Sequence, residues 1–310
     1  MILVAGIPTE PPVESVIDAL QDGRADFVVW NQRRFDDTEL SFSIDERGVV
    51  DGELRIDRRR WPLHEITAIY ARLMDDRQLP ELGDEPPDSH RRLTCRTLND
   101  RVATWLNVTP SLVINRNSAM ASNASKPYQA QLITAHGFRT PDTLVTNDPA
   151  RARAFIDVHA DVIYKSISGV RSIVQPVTDT ELQRLEHIRL CAVQFQALVQ
   201  GVDVRVHVVG SQVFATEIRS AATDYRYAIR QTNEPPEMLS VELPSDIERQ
   251  CVELTASLGL EFSGIDLSFS EQGAVYCFEV NPSPGFSYFE SFTGQPIAAA
   301  VAQHLVAATR

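Results

Sequence analysis

The sequence predicts an α/β chain of α+β character, and two stretches carry that expectation. At the start, the apolar strand Ile2–Ala5 is followed by Val13, Val16, Ile17 and Leu20 at helical spacing. A second strand, Phe27–Trp30, then completes a β-α-β unit. Near the other end, the apolar runs Ile265–Phe269 and Ala274–Val280 flank Glu271-Gln272-Gly273, which reads as a β-hairpin closed by a glycine-containing turn.

Between these stretches the elements follow from local signals. Leu40–Ile44, Asp51–Ile56 and Ala68–Arg72 read as strands joined by charged turns, with Arg58-Arg59-Arg60 as a solvated turn. Pro80 to Ser89 is loop, and beyond it Cys95, Leu98, Val102, Trp105 and Leu106 line one face of a helix as core. A strand Leu112–Ile114 leads through SAMASNASK into a helix carrying Tyr128, Leu132 and Ile133, which Gly137 ends. A strand Thr143–Val145, a helix at Ala150–Phe155 and a strand Val162–Tyr164 follow, with Lys165 closing the last. Val193–Val199, Val204–Val209 and Val213–Ile218 are three further strands, and Gly201-Val202-Asp203 before the second admits either a turn-capping role or a binding role for Asp203. Ser245 with Glu248 forms a capping box ahead of an amphipathic helix, and a helix at Ile297, Val301 and Leu305 closes the chain.

Bulk properties bound the function. A chain of 310 residues, 43% apolar and 23% charged, is an ordinary globular composition with room for about two domains. No apolar run is long enough to span a bilayer and the start lacks a signal pattern, so a cytoplasmic location is expected. Cys95, Cys191, Cys251 and Cys277 are scattered with no C-x-x-C pair, which argues against a disulfide framework or a zinc site. A formal charge of -13 argues against a nucleic-acid partner.

The hairpin is a candidate for the chemistry. With Gln272-Gly273 as a two-residue loop, Asp266 falls opposite Glu279, and Asn281 shares their face by the period-2 alternation of strands. Two adjacent carboxylates repel, and a divalent cation on three hard oxygens would resolve this. A polar face in solvent explains the same spacing, and spacing alone leaves both readings open.

The order of parts then resembles a known family. It runs from Lys126 at a helix start, through Lys165 before a Ser/Gly loop, to the hinge Gln196-Ala197-Leu198-Val199. Asp203-Val204-Arg205 and Asp266…Glu279-x-Asn281-Pro282 complete it. This resembles the ATP-grasp superfamily and its RimK-type carboxylate–amine ligases over roughly Leu112 to Leu305. Within that group it looks most like the microviridin or graspetide type of ligase that crosslinks ribosomal peptides. WLN at 105–107, VDVRVHVVGSQVFATEI, ATDYR at 222–226 and NPSPGFSYFESFTGQPI carry that narrower likeness.

The resemblance implies an ATP-grasp fold in which two α/β lobes sandwich ATP behind a smaller α/β domain. It divides the chain into residues 1–110, a central lobe 111–192, and a C-terminal lobe 193–310 with hinge and metal site. It implies ATP and Mg²⁺, with two ions, as cofactors. Lys126 and Lys165 would meet phosphates, and Ser166, Ser168 and Gly169 would form the covering loop, where fewer glycines than the family pattern leave Arg171 as a substitute contact. Gln196, Ala197 and Val199 would hold adenine and Asp203 the ribose. Arg205 and Arg226 would be the catalytic electrophilic groups, with Asp224 competing for Arg226, and Asp266, Glu279 and Asn281 the metal ligands.

The activity so implied is acyl-phosphate formation on a carboxylate followed by attack of an amine or hydroxyl. The expected partner is a precursor peptide whose leader is held by residues 1–110, with Tyr70 and Arg72 on their strand; self-association is an open partner class. A ligase of free amino acids, glutamate addition to a protein end, an ATP-grasp kinase and a catalytically silent nucleotide-binding regulator are the alternatives. Absence of a Walker A or G-x-S-x-G signature agrees with a reaction that needs no covalent nucleophile.

Overall fold

A computed structural model describes residues 1–167, 174–220 and 233–309. Strand β1 (Ile2–Gly6), the helix Pro11–Asp22 and strand β2 (Phe27–Asn31) form the opening β-α-β unit. Strands β3 (Thr38–Ile44), β4 (Val50–Ile56) and β5 (Arg59–Pro62) make a small antiparallel sheet. The basic run therefore does more than turn: Arg59 and Arg60 are strand residues, and Arg60 Nη1 donates to Glu53 Oε1 across the ladder at 3.0 Å. The expectation failed because β5 is only four residues long and mostly polar, so it has no apolar alternation to read. Strands β6 (Ala68–Arg72) and β7 (Leu112–Ile114) return to the parallel sheet, in the order β2-β1-β6-β7.

The next sheet is antiparallel, ordered β10-β9-β11-β8 from β8 (Thr143–Thr146), β9 (Val162–Ser166), β10 (Gln175–Pro176) and β11 (Val193–Ala197). Val162 and Phe195 bury against Ala152 of the helix Pro149–Val158, which turns the alternate residues Ile163, Lys165, Gln194 and Gln196 to the opposite face.

A five-stranded antiparallel sheet, β14-β13-β12-β15-β16, carries the site. Its strands are β12 (Gly201–Val209), β13 (Gln212–Arg219), β14 (Glu237–Val241), β15 (Phe262–Ser270) and β16 (Val275–Asn281). Gly201-Val202-Asp203 begins β12, so of its two readings the turn-capping one does not hold. Val204, Val206, Val208, Ile265, Leu267, Cys277 and Val280 form one core face, covered by Ile133 of the helix Lys126–Ala135 and by Cys251 and Leu254 of the helix Ser245–Ser257. The opposite face is buried at its Val209–Phe262 end against Val4, Tyr70, Phe286 and the closing helix Ile297–Ala307, and His207 and Ser268 on it are buried too. The expected Ser245 capping box does not form: Pro244 is the N-cap and makes no side-chain cap bond. Among the described residues no helix is long and apolar enough to cross a membrane. All four cysteines are free.

Candidate active site

The hairpin reaches its expected register by an unexpected route. The loop is three residues long, with Ser270 N–H donating to Ala274 O and Gly273 at φ +77°. That alone would put Asp266 opposite Phe278. A register shift between Asp266 and Leu267 inserts Phe278 as a bulge and restores Asp266 opposite Glu279. Cys277 and Val280 both lie in the core, so Phe278 and Glu279 together turn to the other face. The sequence reading missed Phe278, because a bulge has no periodic signature.

Each carboxylate has a cationic partner. Lys126 Nζ lies 2.7 Å from Glu279 Oε1 and donates to Asn123 Oδ1 at 2.8 Å. Arg205, directly opposite Asp266 in the β12–β15 ladder, donates from Nη1 to Asp266 Oδ1 at 2.5 Å. The Arg205 side chain is only 6% exposed, against 30% for Asp266. Its guanidinium has Phe289 beneath it, 5.7 Å from carbon Cζ to ring centroid. A Cβ on Gly264 would stand 2.4 Å from Arg205 Nη2, so this glycine makes room for the guanidinium. The arginine between Val204 and Val206 is therefore a buried cation paired with a carboxylate that is partly exposed.

Other residues hold this corner together and were not singled out in the sequence. Gln129, one turn after Lys126 and 1% exposed, donates to Val280 O at 2.8 Å and accepts from Val280 N–H at 3.1 Å. That docks the Lys126 helix on β16 and places Lys126 over Glu279. A polar residue on the buried face of an apolar helix was the available signal. Asn115 donates to Phe262 O and Pro282 O and accepts from the N–H groups of Glu261 and Phe262, clamping the two ends of the hairpin. Asn281 Oδ1 accepts from Ser283 N–H at 2.9 Å.

Asp203, two residues before Arg205 and opposite Ser268, points to the same face. Desolvation raises its carboxyl to about 6, with the Asp266 charge adding to the shift and a Ser268 hydrogen bond opposing it. His207, two residues beyond Arg205, is fully buried; desolvation first and Arg205 second hold its pKa well below 6.5.

Other expected site residues are dispersed. Lys165 is the fourth of the five residues of β9, near the strand end and opposite Gln194. Gln196 is buried and donates to Thr143 Oγ1 at 3.0 Å. In the hinge, Ala197 N–H donates to Asp142 O and Leu198 N–H to Asp161 O. Ala197 and Val199 border a cleft of about 680 Å³ between these segments and the hairpin tip at Glu271. A larger cavity, about 910 Å³ around Trp105, Thr109 and Val113, holds none of the expected site residues. Ser168, Gly169, Arg171, Asp224 and Arg226 lie outside the described residues. Tyr70 requires a correction: it is 2% exposed in the core and its phenol is raised by burial, so it offers nothing to a peptide. Arg72 is engaged by Glu10 at 2.6 Å and by Ser283 Oγ, Ser283 O and Pro284 O.

The donor set fits a hard cation with an incomplete protein shell. Two opposed carboxylates and one amide oxygen are oxygen ligands of the type Mg²⁺ takes. The ion pairs use Oδ1 of Asp266 and Oε1 of Glu279, and a carboxylate accepts through both oxygens. Among the described residues no group of three or more His, Cys, Asp or Glu side chains is placed to hold a metal. Phosphate oxygens and water would have to complete the shell.

Comparison with known proteins bears on this arrangement. Residues 123–305 match the RimK-like ATP-grasp domain model. The chain belongs to the RimK-like ATP-grasp family. Among curated RimK-like relatives, it is 27% identical over 204 residues to a probable alpha-L-glutamate ligase of Parasynechococcus marenigrum, covering 62% of this chain and 43% of that protein. A probable alpha-L-glutamate ligase of Shewanella halifaxensis is 26% identical over 250 residues, 71% of this chain and 53% of that one. The chain thus spans about half the length of these curated relatives. Among solved structures, the ATP-grasp ligase PsnB, complexed with minimal precursor, Mg and ADP, superposes with a TM-score of 0.80 at 27% identity, covering 100% of this chain and 97% of that one. A RiPP-associated ATP-grasp ligase of Chryseobacterium gregarium, in complex with ADP and a leader and core peptide, gives a TM-score of 0.83 at 22% identity over 98% and 96% of the two chains. The latter likeness speaks to fold alone.

Proposed function

We propose that this chain is an ATP-dependent ligase that activates a substrate carboxylate as an acyl phosphate and joins it to a hydroxyl or amine. Its substrate is a ribosomally made precursor peptide, in which the product is an ester or amide crosslink. The observation that carries the ligase reading is the pair of opposed carboxylates, Asp266 and Glu279, beside the cations Arg205 and Lys126 at the open end of one sheet. The peptide reading is supported by extent: the PsnB likeness runs over the whole chain, beyond the 123–305 segment of the RimK-like match.

In this reading residues 1–110 hold the peptide, while 111–192 and 193–310 close on the nucleotide. Lys126, at a helix N-terminus, and Lys165 bind phosphates. Ser166, Ser168 and Gly169 cover them, Gln196, Ala197 and Val199 take the adenine, and Asp203 the ribose. Mg²⁺ on Asp266, Glu279 and Asn281, as one or two ions, would neutralise charge on the phosphoryl group in transfer. Arg205, with Arg226, clamps the carboxylate and then offsets the charge on the acyl phosphate. The substrate carboxylate oxygen bonds to the γ-phosphorus as ADP leaves, and the hydroxyl or amine then takes the acyl carbon as phosphate leaves. No side chain of the protein becomes covalently modified.

The curated relatives favour a second reading, transfer to or of glutamate, because they are named probable alpha-L-glutamate ligases. Mass spectrometry separates the two. Incubation with ATP, Mg²⁺ and an acid-rich, Thr-containing precursor peptide is expected to give products lighter by ~18 Da per crosslink, with one phosphate released for each. A peptide that instead gains glutamate residues supports the second reading, and a stably phosphorylated peptide overturns both.

A further inference from the structure

The two ion pairs at the site are built differently. Arg205 is locked: it is almost fully buried, backed by Phe289, and seated where Gly264 leaves no Cβ. Lys126 is held at its tip, by Glu279 Oε1 and the side-chain oxygen of Asn123. It stands in the first turn of the helix Lys126–Ala135, at the end where a helix favours anions. A phosphate arriving there competes directly with Glu279 for the same ammonium. A metal ion arriving first must compete with that ammonium for Glu279.

We propose that Lys126 is a displaceable countercharge for Glu279, so that nucleotide binding unmasks the metal site. Phosphate oxygens draw the ammonium off Glu279, and the freed carboxylate joins Asp266 and Asn281 as a metal ligand. The Arg205–Asp266 pair stays in place in this exchange, because Arg205 is buried within the sheet against Phe289, whereas Lys126 stands at a helix end that favours phosphate. The role of Lys126 therefore extends beyond phosphate contact: it keeps a divalent cation from binding without nucleotide. The incomplete protein shell makes the same demand, because two carboxylates and an amide form a weak site until phosphates join them. The inference rests on the metal assignment proposed above and adds an order to it.

Mn²⁺ binding to the full chain, followed by electron paramagnetic resonance with and without ADP, tests the inference directly. Wild type is expected to bind Mn²⁺ weakly without nucleotide. Lys126→Met, which keeps the length and loses the charge, should bind it about tenfold more tightly. Lys126→Arg restores a cation and should return the weak binding of wild type; circular dichroism verifies that each variant is folded. Equal Mn²⁺ affinity of wild type and Lys126→Met without nucleotide overturns the exchange, while ADP-dependent Mn²⁺ binding lost in Glu279→Gln would leave the metal assignment standing. Absence of Mn²⁺ binding to wild type even with ADP overturns the metal assignment itself.

Discussion

Strand β12 runs through two environments on one face, and the contrast explains where chemistry can occur. At Arg205 the buried guanidinium is paired with Asp266, which is 30% exposed. Two residues on, at His207, helix Ser287–Thr293 and the Phe262 ring close over it. His207 is completely buried, and neither ring nitrogen has a hydrogen-bond partner among the described residues. The same strand thus carries a buried cation that is paired and a buried base kept neutral. Pairing, more than depth, decides which group keeps its charge.

Removing the paired cation should have the largest effect. Arg205→Met is expected to lower kcat at least ~100-fold, because it removes a fixed donor aimed at developing charge. Steady-state phosphate release checks this, with circular dichroism confirming the fold. A smaller effect follows from crowding the same guanidinium without deleting it. Gly264→Ala introduces a Cβ where Arg205 Nη2 and Pro284 now sit, and should destabilise the protein by ~1–3 kcal/mol in urea unfolding while slowing turnover.

Gln129→Leu leaves the charges in place and loosens their support. It orphans the N–H and C=O of Val280, for an expected loss of ~1–3 kcal/mol, and should raise KM for ATP as Lys126 loses its seat. The smallest effect belongs to the neutral end of the strand. Folded His207 resists the proton that unfolded His207 accepts below about 6.5, so stability falls as pH drops through that value. His207→Leu should abolish this sensitivity, narrowing the gap to wild type by about 1.4 kcal/mol per pH unit below 6.5. Urea unfolding at pH 5 and pH 7 measures it, and an unchanged pH dependence would show that His207 is protonated within the fold.

Much of this arrangement was legible in the sequence where a periodic pattern met a special residue. The hairpin, the opposition of Asp266 and Glu279, and an arginine between valines all followed from period-2 alternation. The correct register, however, came from two deviations that cancel, a longer loop and a bulge at Phe278. Neither has a signature in a single sequence, because each depends on how the strand packs. Tyr70 was misassigned for a related reason: alternation shows that a residue is on one face, but not that the closing helix, distant in sequence, buries that face. Gln129, Gly264 and Phe289 act on the site through long-range contacts that no local spacing reveals.

The central claim is that Asp266 and Glu279 form the metal end of a ligase site. Its most direct test is the coupling of phosphate release to peptide dehydration in Glu279→Gln, which keeps the shape and removes the charge. The expected result is loss of both signals together in a protein that still folds and still binds precursor peptide. Near-normal release of phosphate with normal crosslinking would contradict the account.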